Sequence, residues 1–176
     1  MKLILGGARS GKSGKANEFA REEDQVAYLA TGVATDEEME ARIRRHKEDR
    51  PEGWRTIEEQ LEIGDTLSGL DSEGFAGVVI LDCLGFWLSN YLRDTEDLSG
   101  PELEEEVSTR LLKELEPAIQ SDFELIVVSN VVGMGVIPGT SAGRQFRDAL
   151  GRVNQAAAEI AEEVILMVAG LPLRLK

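Results

Sequence analysis

Cysteine is almost missing from this chain of 176 residues: Cys83 stands alone, so no internal disulfide can form. The N-terminus runs at once into the strand-like Lys2-Leu3-Ile4-Leu5, where no signal peptide is expected. Together these readings predict a cytoplasmic protein. No apolar run approaches the roughly 20 residues that cross a bilayer, which predicts no membrane insertion. Repeats, low-complexity tracts and linker-like breaks are lacking too, so residues 1–176 read as a single domain. Positive charge is scarce: 19 Lys and Arg face 33 Asp and Glu, for a net charge of −14. Such a surface repels nucleic acid, and no nucleic-acid partner is predicted. Histidine also occurs once, as His46.

The acidic surface has one exception. Between positions 42 and 50, Arg42, Arg44, Arg45, Lys47 and Arg50 face only Glu48 and Asp49. A run of this kind is either a solvated helix face or a site for a polyanion.

Strand and helix patterns alternate along the chain. Apolar runs at Lys2–Leu5, Gln25–Ala30, Val78–Asp82, Leu125–Ser129 and Val164–Val168 predict strands, with a short last one at Leu171–Leu175. Helices are expected over Lys12–Arg21, Asp36–Asp49, Phe86–Leu92, Glu102–Gln120 and Arg144–Glu163. The helix from Glu102 is expected to be solvated, with Leu103, Val107, Leu111, Leu112 and Leu115 near helical spacing. Gly53–Gly69 is mixed and assigns itself to neither class. The strand runs are continuous rather than alternating, as in strands covered on both faces. The expected fold class is α/β, a mostly parallel sheet with helices on both faces.

Gly6-Gly7-Ala8-Arg9-Ser10-Gly11-Lys12-Ser13 fits G-x-x-x-x-G-K-[ST], with a strand before it and a helix after it. Gly6 and Gly11 let the backbone turn so that N–H groups face phosphate oxygens. Lys12 is expected to reach the terminal phosphates and Ser13 to offer its hydroxyl to Mg²⁺. The start of the following helix lays its positive end on the same anion. Asp82, after four apolar residues at a strand end, is expected to hold the same Mg²⁺. Its bland alternative is a helix cap. Cys83 reads as a small core residue rather than a nucleophile. Ser129-Asn130-Val131-Val132 carries neither the lysine nor the aspartate of a guanine-reading N-K-x-D, which argues against a switch-type GTPase.

His46 lies near the end of the Asp36–Asp49 helix, where Arg42, His46 and Arg50 fall on one face. Imidazole is a good nucleophile towards phosphorus, and flanking guanidiniums can neutralise a triphosphate. By itself, a lone histidine on a charged helix is also simply a surface residue.

At this point the residues resemble a known family, the bifunctional adenosylcobinamide kinase/adenosylcobinamide-phosphate guanylyltransferases. Beyond the phosphate loop, the resemblance is carried by Ala41-Arg42-Ile43, His46-Lys47, Arg50-Pro51, Trp54-Arg55-Thr56 and Glu58. It continues through Asp82-Cys83, Trp87-Leu88-Ser89-Asn90, Asn130, Val132-Gly133-Met134-Gly135 and Pro138. The C-terminal third agrees at Phe146-Arg147-Asp148, Gly151-Arg152-Val153-Asn154-Gln155 and Ala169-Gly170-Leu171-Pro172. The H-[KR]-x-x-R-P-x-x-W-x-T-x-E run is its most specific part.

The resemblance implies a RecA-like P-loop sheet and a homotrimer. It implies phosphorylation of adenosylcobinamide with ATP or GTP. Transfer of GMP from GTP to that phosphate would follow, through a GMP–histidine intermediate on His46. It further implies GTP contacts at Thr31, Gly32, Val33, Lys47, Glu48, Asp49, Arg50, Glu58 and Asp82. Three positions depart from the family pattern: Val131 for a glutamate, Gly85 for a threonine, and Gly14-Lys15 where an arginine is common. Two other readings stay open on the residues alone: a plain P-loop small-molecule kinase with a structural His46, and a nucleotide-sensing module without catalysis.

Overall fold

The computed structural model describes every residue except Thr35, Asp49, Glu96 and Asp97, and omits the side chains of Arg42 and Asp94. In chain order the elements are β1 (Lys2–Gly6), α1 (Lys12–Ala20), β2 (Val26–Ala30), α2 (Glu37–Glu48), β3 (Arg55–Glu58), α3 (Ile63–Ser72) and β4 (Val78–Asp82). There follow α4 (Leu84–Asp94), α5 (Gly100–Ile119), β5 (Glu124–Asn130), α6 (Ser141–Ile160), β6 (Glu163–Val168) and β7 (Leu171–Arg174).

The strands form one sheet in the order β3-β2-β4-β5-β1-β6-β7. All pairings are parallel except that of β7 with β6. The central strands are apolar throughout because successive side chains enter different cores. Leu3, Leu29, Leu81 and Val127 pack beneath α3, α4, α5 and α6. Ile4, Tyr28, Ile80 and Val128 face the other way, towards Ala16 and Ala20 of α1. Each fully buried Leu or Ile contributes about 1.5–3 kcal/mol relative to exposure. β5 lies between β1 and β4, so the phosphate-loop strand and the Asp82 strand are separated by one strand, as in a RecA-like sheet.

Several expected boundaries shift. The mixed Gly53–Gly69 region resolves into β3 and the start of α3. β3 is an edge strand whose side chains are exposed apart from half-buried Ile57, so it carries no apolar signature. Gly64 and Gly69 mask α3, whose buried Ile63, Leu67 and Leu70 nevertheless keep helical spacing. Gly64 sits in a tight contact: a Cβ there would stand 3.1 Å from the Glu114 carboxylate and 3.2 Å from the Glu114 carbonyl. α5 is solvated on its outer face, while Leu103, Val107, Leu111 and Leu115 form a buried stripe at every fourth position. Leu112, off that stripe, is exposed. α6 starts earlier and ends earlier than Arg144–Glu163. Thr140 caps it by accepting from the Gly143 N–H, and Ala161 turns extended, freeing Glu163 to enter β6.

Candidate active site

The C-terminal ends of the central strands meet along one edge of the sheet. Gly6 pairs with Asn130, and Ala30 with Asp82. The chain after β1 turns to one side and the chain after β5 to the other, the crevice where α/β sheets bind ligands.

The loop after β1 folds as its glycines predict. Gly11 takes φ 98° at the N-cap of α1, a conformation that side chains disfavour. A Cβ on Gly6 would lie 2.7 Å from the Met167 carbonyl and closer still to Ser10. Lys12 is buried and donates from Nζ to the Gly7 carbonyl at 2.7 Å. The Ser10 hydroxyl is buried without a hydrogen-bond partner in the described structure. A buried unpaired hydroxyl costs about 1–3 kcal/mol, so an incoming acceptor is favoured there.

Ser13 and Asp82 come together across the sheet, Oγ donating to Oδ2 at 2.8 Å. The Tyr28 hydroxyl donates to the same carboxylate oxygen. Burial and the adjoining carboxylate both push the Tyr28 phenol far above its ordinary range, so it remains a donor. The Arg50 guanidinium lies 3.6 Å over the Tyr28 ring and donates to Thr56 Oγ1 at 3.0 Å. Thus a chain of contacts runs from the segment after α2, through Arg50 and Tyr28, to Asp82 and Ser13.

α2 is held by its own charge order. Asp36 accepts from the Met39 N–H at 2.8 Å, acidic residues fill the first turn, and Arg45, His46 and Lys47 fill the last. Each sign complements the helix dipole. That last turn brings His46 to two adjoining cavities. One, of about 620 Å³, is lined by Arg9, Ser10, Gly11, Lys12, Ser13 and Arg45 as well as His46. The other has His46 beside Lys12, Ser13, Tyr28, Arg50, Glu58 and Asp82. Its apolar wall is built by Met39, Ile43 and Phe86. The sole histidine and the phosphate loop, 33 or more positions apart in sequence, therefore share one space.

Gly32 and Arg50 also line this space, Arg50 from beyond the end of α2. Other expected contacts lie in different positions. Thr31 is fully buried and is bonded through its hydroxyl to both the N–H and the carbonyl of Cys83, while Asn90 donates to its carbonyl at 2.8 Å. It ties β2 to β4 beneath the site. Lys47 pairs with Glu58. Gly6, Gly7, Ala8, Val33, Lys47 and Glu48 line neither cavity. Asp49 lies outside the described residues.

Sequence reasoning did not single out Tyr28, Phe86 or Asn130 as site residues. Tyr28 falls inside the apolar run Gln25–Ala30, expected as a strand, and Phe86 opens the expected helix Phe86–Leu92. Asn130 had a usable signal, its place at the end of the strand paired with β1. Asp82 caps no helix, since Cys83 holds the N-cap of α4. Cys83 itself is buried, and burial first, then Asp82, pushes its thiol up to about 12. Native protein should therefore resist an aromatic disulfide reagent near neutral pH and release one equivalent of thiol only on unfolding. Rapid labelling of the folded protein would contradict this placement.

Comparison with known proteins decides the family. A sequence model described as cobinamide kinase / cobinamide phosphate guanyltransferase matches residues 2–175. The chain belongs to that family.

Two relatives are similar over nearly their whole length. The bifunctional adenosylcobalamin biosynthesis protein CobP of Pseudomonas aeruginosa is 44% identical over 99% of this chain and 96% of its own. CobU of Escherichia coli, of the same description, is 34% identical over 100% and 99%. Among solved structures, an ATPase of the type III secretion system of pathogenic bacteria superposes with a TM-score of 0.63 at 12% identity, over 94% of this chain and 51% of that one. This likeness concerns the fold alone and gives this cobinamide kinase / guanyltransferase chain a P-loop NTPase sheet.

Proposed function

We infer that this protein phosphorylates adenosylcobinamide with ATP or GTP and then transfers GMP from GTP to that phosphate, giving adenosylcobinamide-GDP in cobalamin biosynthesis. The observation that carries the reading is His46 facing the same space as Lys12, Ser13 and Asp82. A plain kinase, in which the substrate hydroxyl attacks directly, needs no nucleophilic imidazole at that place.

In the transfer step the phosphate loop holds GTP, with Lys12 on its outer phosphates. A ring nitrogen of His46 attacks the α-phosphorus. A phosphorus–nitrogen bond forms, the bond from the α-phosphorus to its bridging oxygen breaks, and pyrophosphate leaves with the electron pair. An oxygen of the corrinoid phosphate then attacks the same phosphorus and displaces the imidazole. Arg45 and Arg50 neutralise charge on the transferring group. Met39, Ile43 and Phe86 suit a purine ring. Ser13 and Asp82 fit Mg²⁺, a hard cation that takes one or two protein oxygens and fills its remaining positions from phosphates and water. Bound there, it supplies charge neutralisation to the phosphates. Tyr28, by its bond to Asp82, orients that carboxylate.

The reading extends to assembly and location. β7 is an edge strand with its side chains exposed, Leu171 at 71%. An unpaired apolar edge favours association with another copy. With the family resemblance, this supports a homotrimer, and native mass spectrometry should give three times the 19.3 kDa chain mass. A monomer at working concentration would overturn it. No helix among the described residues is long and apolar enough to cross a membrane. A cytoplasmic enzyme is the simplest reading of that and of the single buried thiol.

The activity test is direct. Protein incubated with adenosylcobinamide, ATP, GTP and Mg²⁺ should yield first the corrinoid phosphate, then the GDP derivative with one pyrophosphate per transfer. A corrinoid phosphate with no GDP derivative would favour the plain kinase.

A further inference from the structure

The ten residues from Val131 to Thr140 contain no charged side chain, in a chain where 30% of residues are charged. Three of them are among the most exposed apolar residues of the described structure: Val136 is 93% exposed, Met134 81% and Ile137 69%. Exposed apolar side chains gathered in one segment mark a contact surface.

This segment is anchored to the site. It leaves the sheet directly after Asn130, which lines the His46 cavity. The Val131 N–H donates to the Gly6 carbonyl at 3.0 Å, joining the root of the loop to the first glycine of the phosphate loop. Asn154 donates to the Asn130 carbonyl at 3.0 Å. At the other end, Arg144 donates to the carbonyls of Pro138 and Gly139, each at 3.1 Å. Both ends are braced while the apolar tip is left to solvent.

We propose that Met134, Val136 and Ile137 form the docking surface for the corrin macrocycle of the acceptor. This rests on the activity inferred above. That activity requires a second ligand far larger than a nucleotide, with broad apolar faces and a rim of neutral amides, to present one arm to the phosphate loop and to His46. An uncharged apolar loop rooted beside both suits such a face. A second exposed apolar group, Val168, Leu171 and Leu173, adjoins the phosphate loop through Gly170, whose N–H donates to the Ser10 carbonyl at 3.0 Å; it lies on the β7 edge assigned above to subunit association.

The two half-reactions separate this role from others. Formation of the GMP–enzyme uses GTP alone, whereas kinase turnover and GMP release use the corrinoid. In the double variant Val136→Ser/Ile137→Ser, and separately in Met134→Ser, the KM for adenosylcobinamide and for its phosphate should rise about 10- to 100-fold, the effect of losing one or two buried apolar contacts. Equilibrium dialysis of the coloured corrinoid should give the same loss of affinity. The extent of GMP labelling by GTP and the native mass should not change. Unchanged corrinoid affinity in both variants would overturn the proposal. So would loss of affinity together with a lower native mass, which would make the loop a subunit contact. If the unaltered protein neither binds nor converts the corrinoid, the inferred activity itself fails, and that result is distinct from a loop that proves irrelevant.

Discussion

Replacing His46 with alanine should abolish guanylyl transfer, with a fall of at least about 10³-fold, while kinase turnover keeps its order of magnitude. The asymmetry follows from chemistry. In the kinase step the attacking atom is the corrinoid hydroxyl oxygen and the electrophile is the terminal phosphorus of the nucleotide. No protein nucleophile is needed. On the proposed mechanism the imidazole is itself the attacking group in the transfer step, and alanine leaves nothing in its place. The substitution should be mild for the fold, because His46 is only half-buried, in the last turn of α2, and alanine is the best helix former. Chromatography of the corrinoid products should therefore show the phosphate accumulating and the GDP derivative missing. Loss of both products in a folded variant would mean that His46 serves the shared nucleotide site rather than the transfer alone.

Replacing Lys12 with alanine should behave differently and depress both steps, each by about 10²–10³-fold, the usual effect of removing one preorganised charge from a transferring phosphoryl group. Lys12 is buried and lines both cavities that His46 joins. On the proposed mechanism a single ammonium serves the terminal phosphates in the kinase step and the departing pyrophosphate in the transfer step. Arginine should not rescue it: its larger fork has little room at a position 8% exposed, and it binds in a different geometry. Parallel rate measurements on Lys12→Ala and His46→Ala, one losing both steps and the other losing one, would separate a shared cradle from a dedicated nucleophile.

The sequence made some of this site legible and hid the rest for physical reasons. The phosphate loop could be read because its glycines, lysine and serine are adjacent in the chain, and its flanking strand and helix carry strong apolar periods. Asp82 could be read because a carboxylate ends an otherwise wholly apolar strand. His46 was different. Its residues alone left a surface histidine as a full alternative, and only the family resemblance tied it to GTP. In the structure α2 places His46 in one space with a loop more than thirty residues earlier, a long-range relation that the sequence does not display. Tyr28 could not be found from the chain, since a tyrosine in an apolar strand gives no sign that its hydroxyl meets a carboxylate from β4. β3 was hidden because an edge strand with exposed side chains has no apolar pattern. α3 was hidden by Gly64, in tight contact with the carboxylate and backbone of Glu114, fifty residues away.

On the proposed mechanism one imidazole carries GMP between the two substrates. The most direct measurement is to incubate the protein with α-labelled GTP and Mg²⁺ without corrinoid, denature it, and map the label by peptide mass spectrometry. An acid-labile, alkali-stable GMP should appear on the peptide carrying His46 and be discharged on addition of the corrinoid phosphate. A protein shown to bind GTP that carries no covalent label, or carries it on any other residue, would contradict that mechanism.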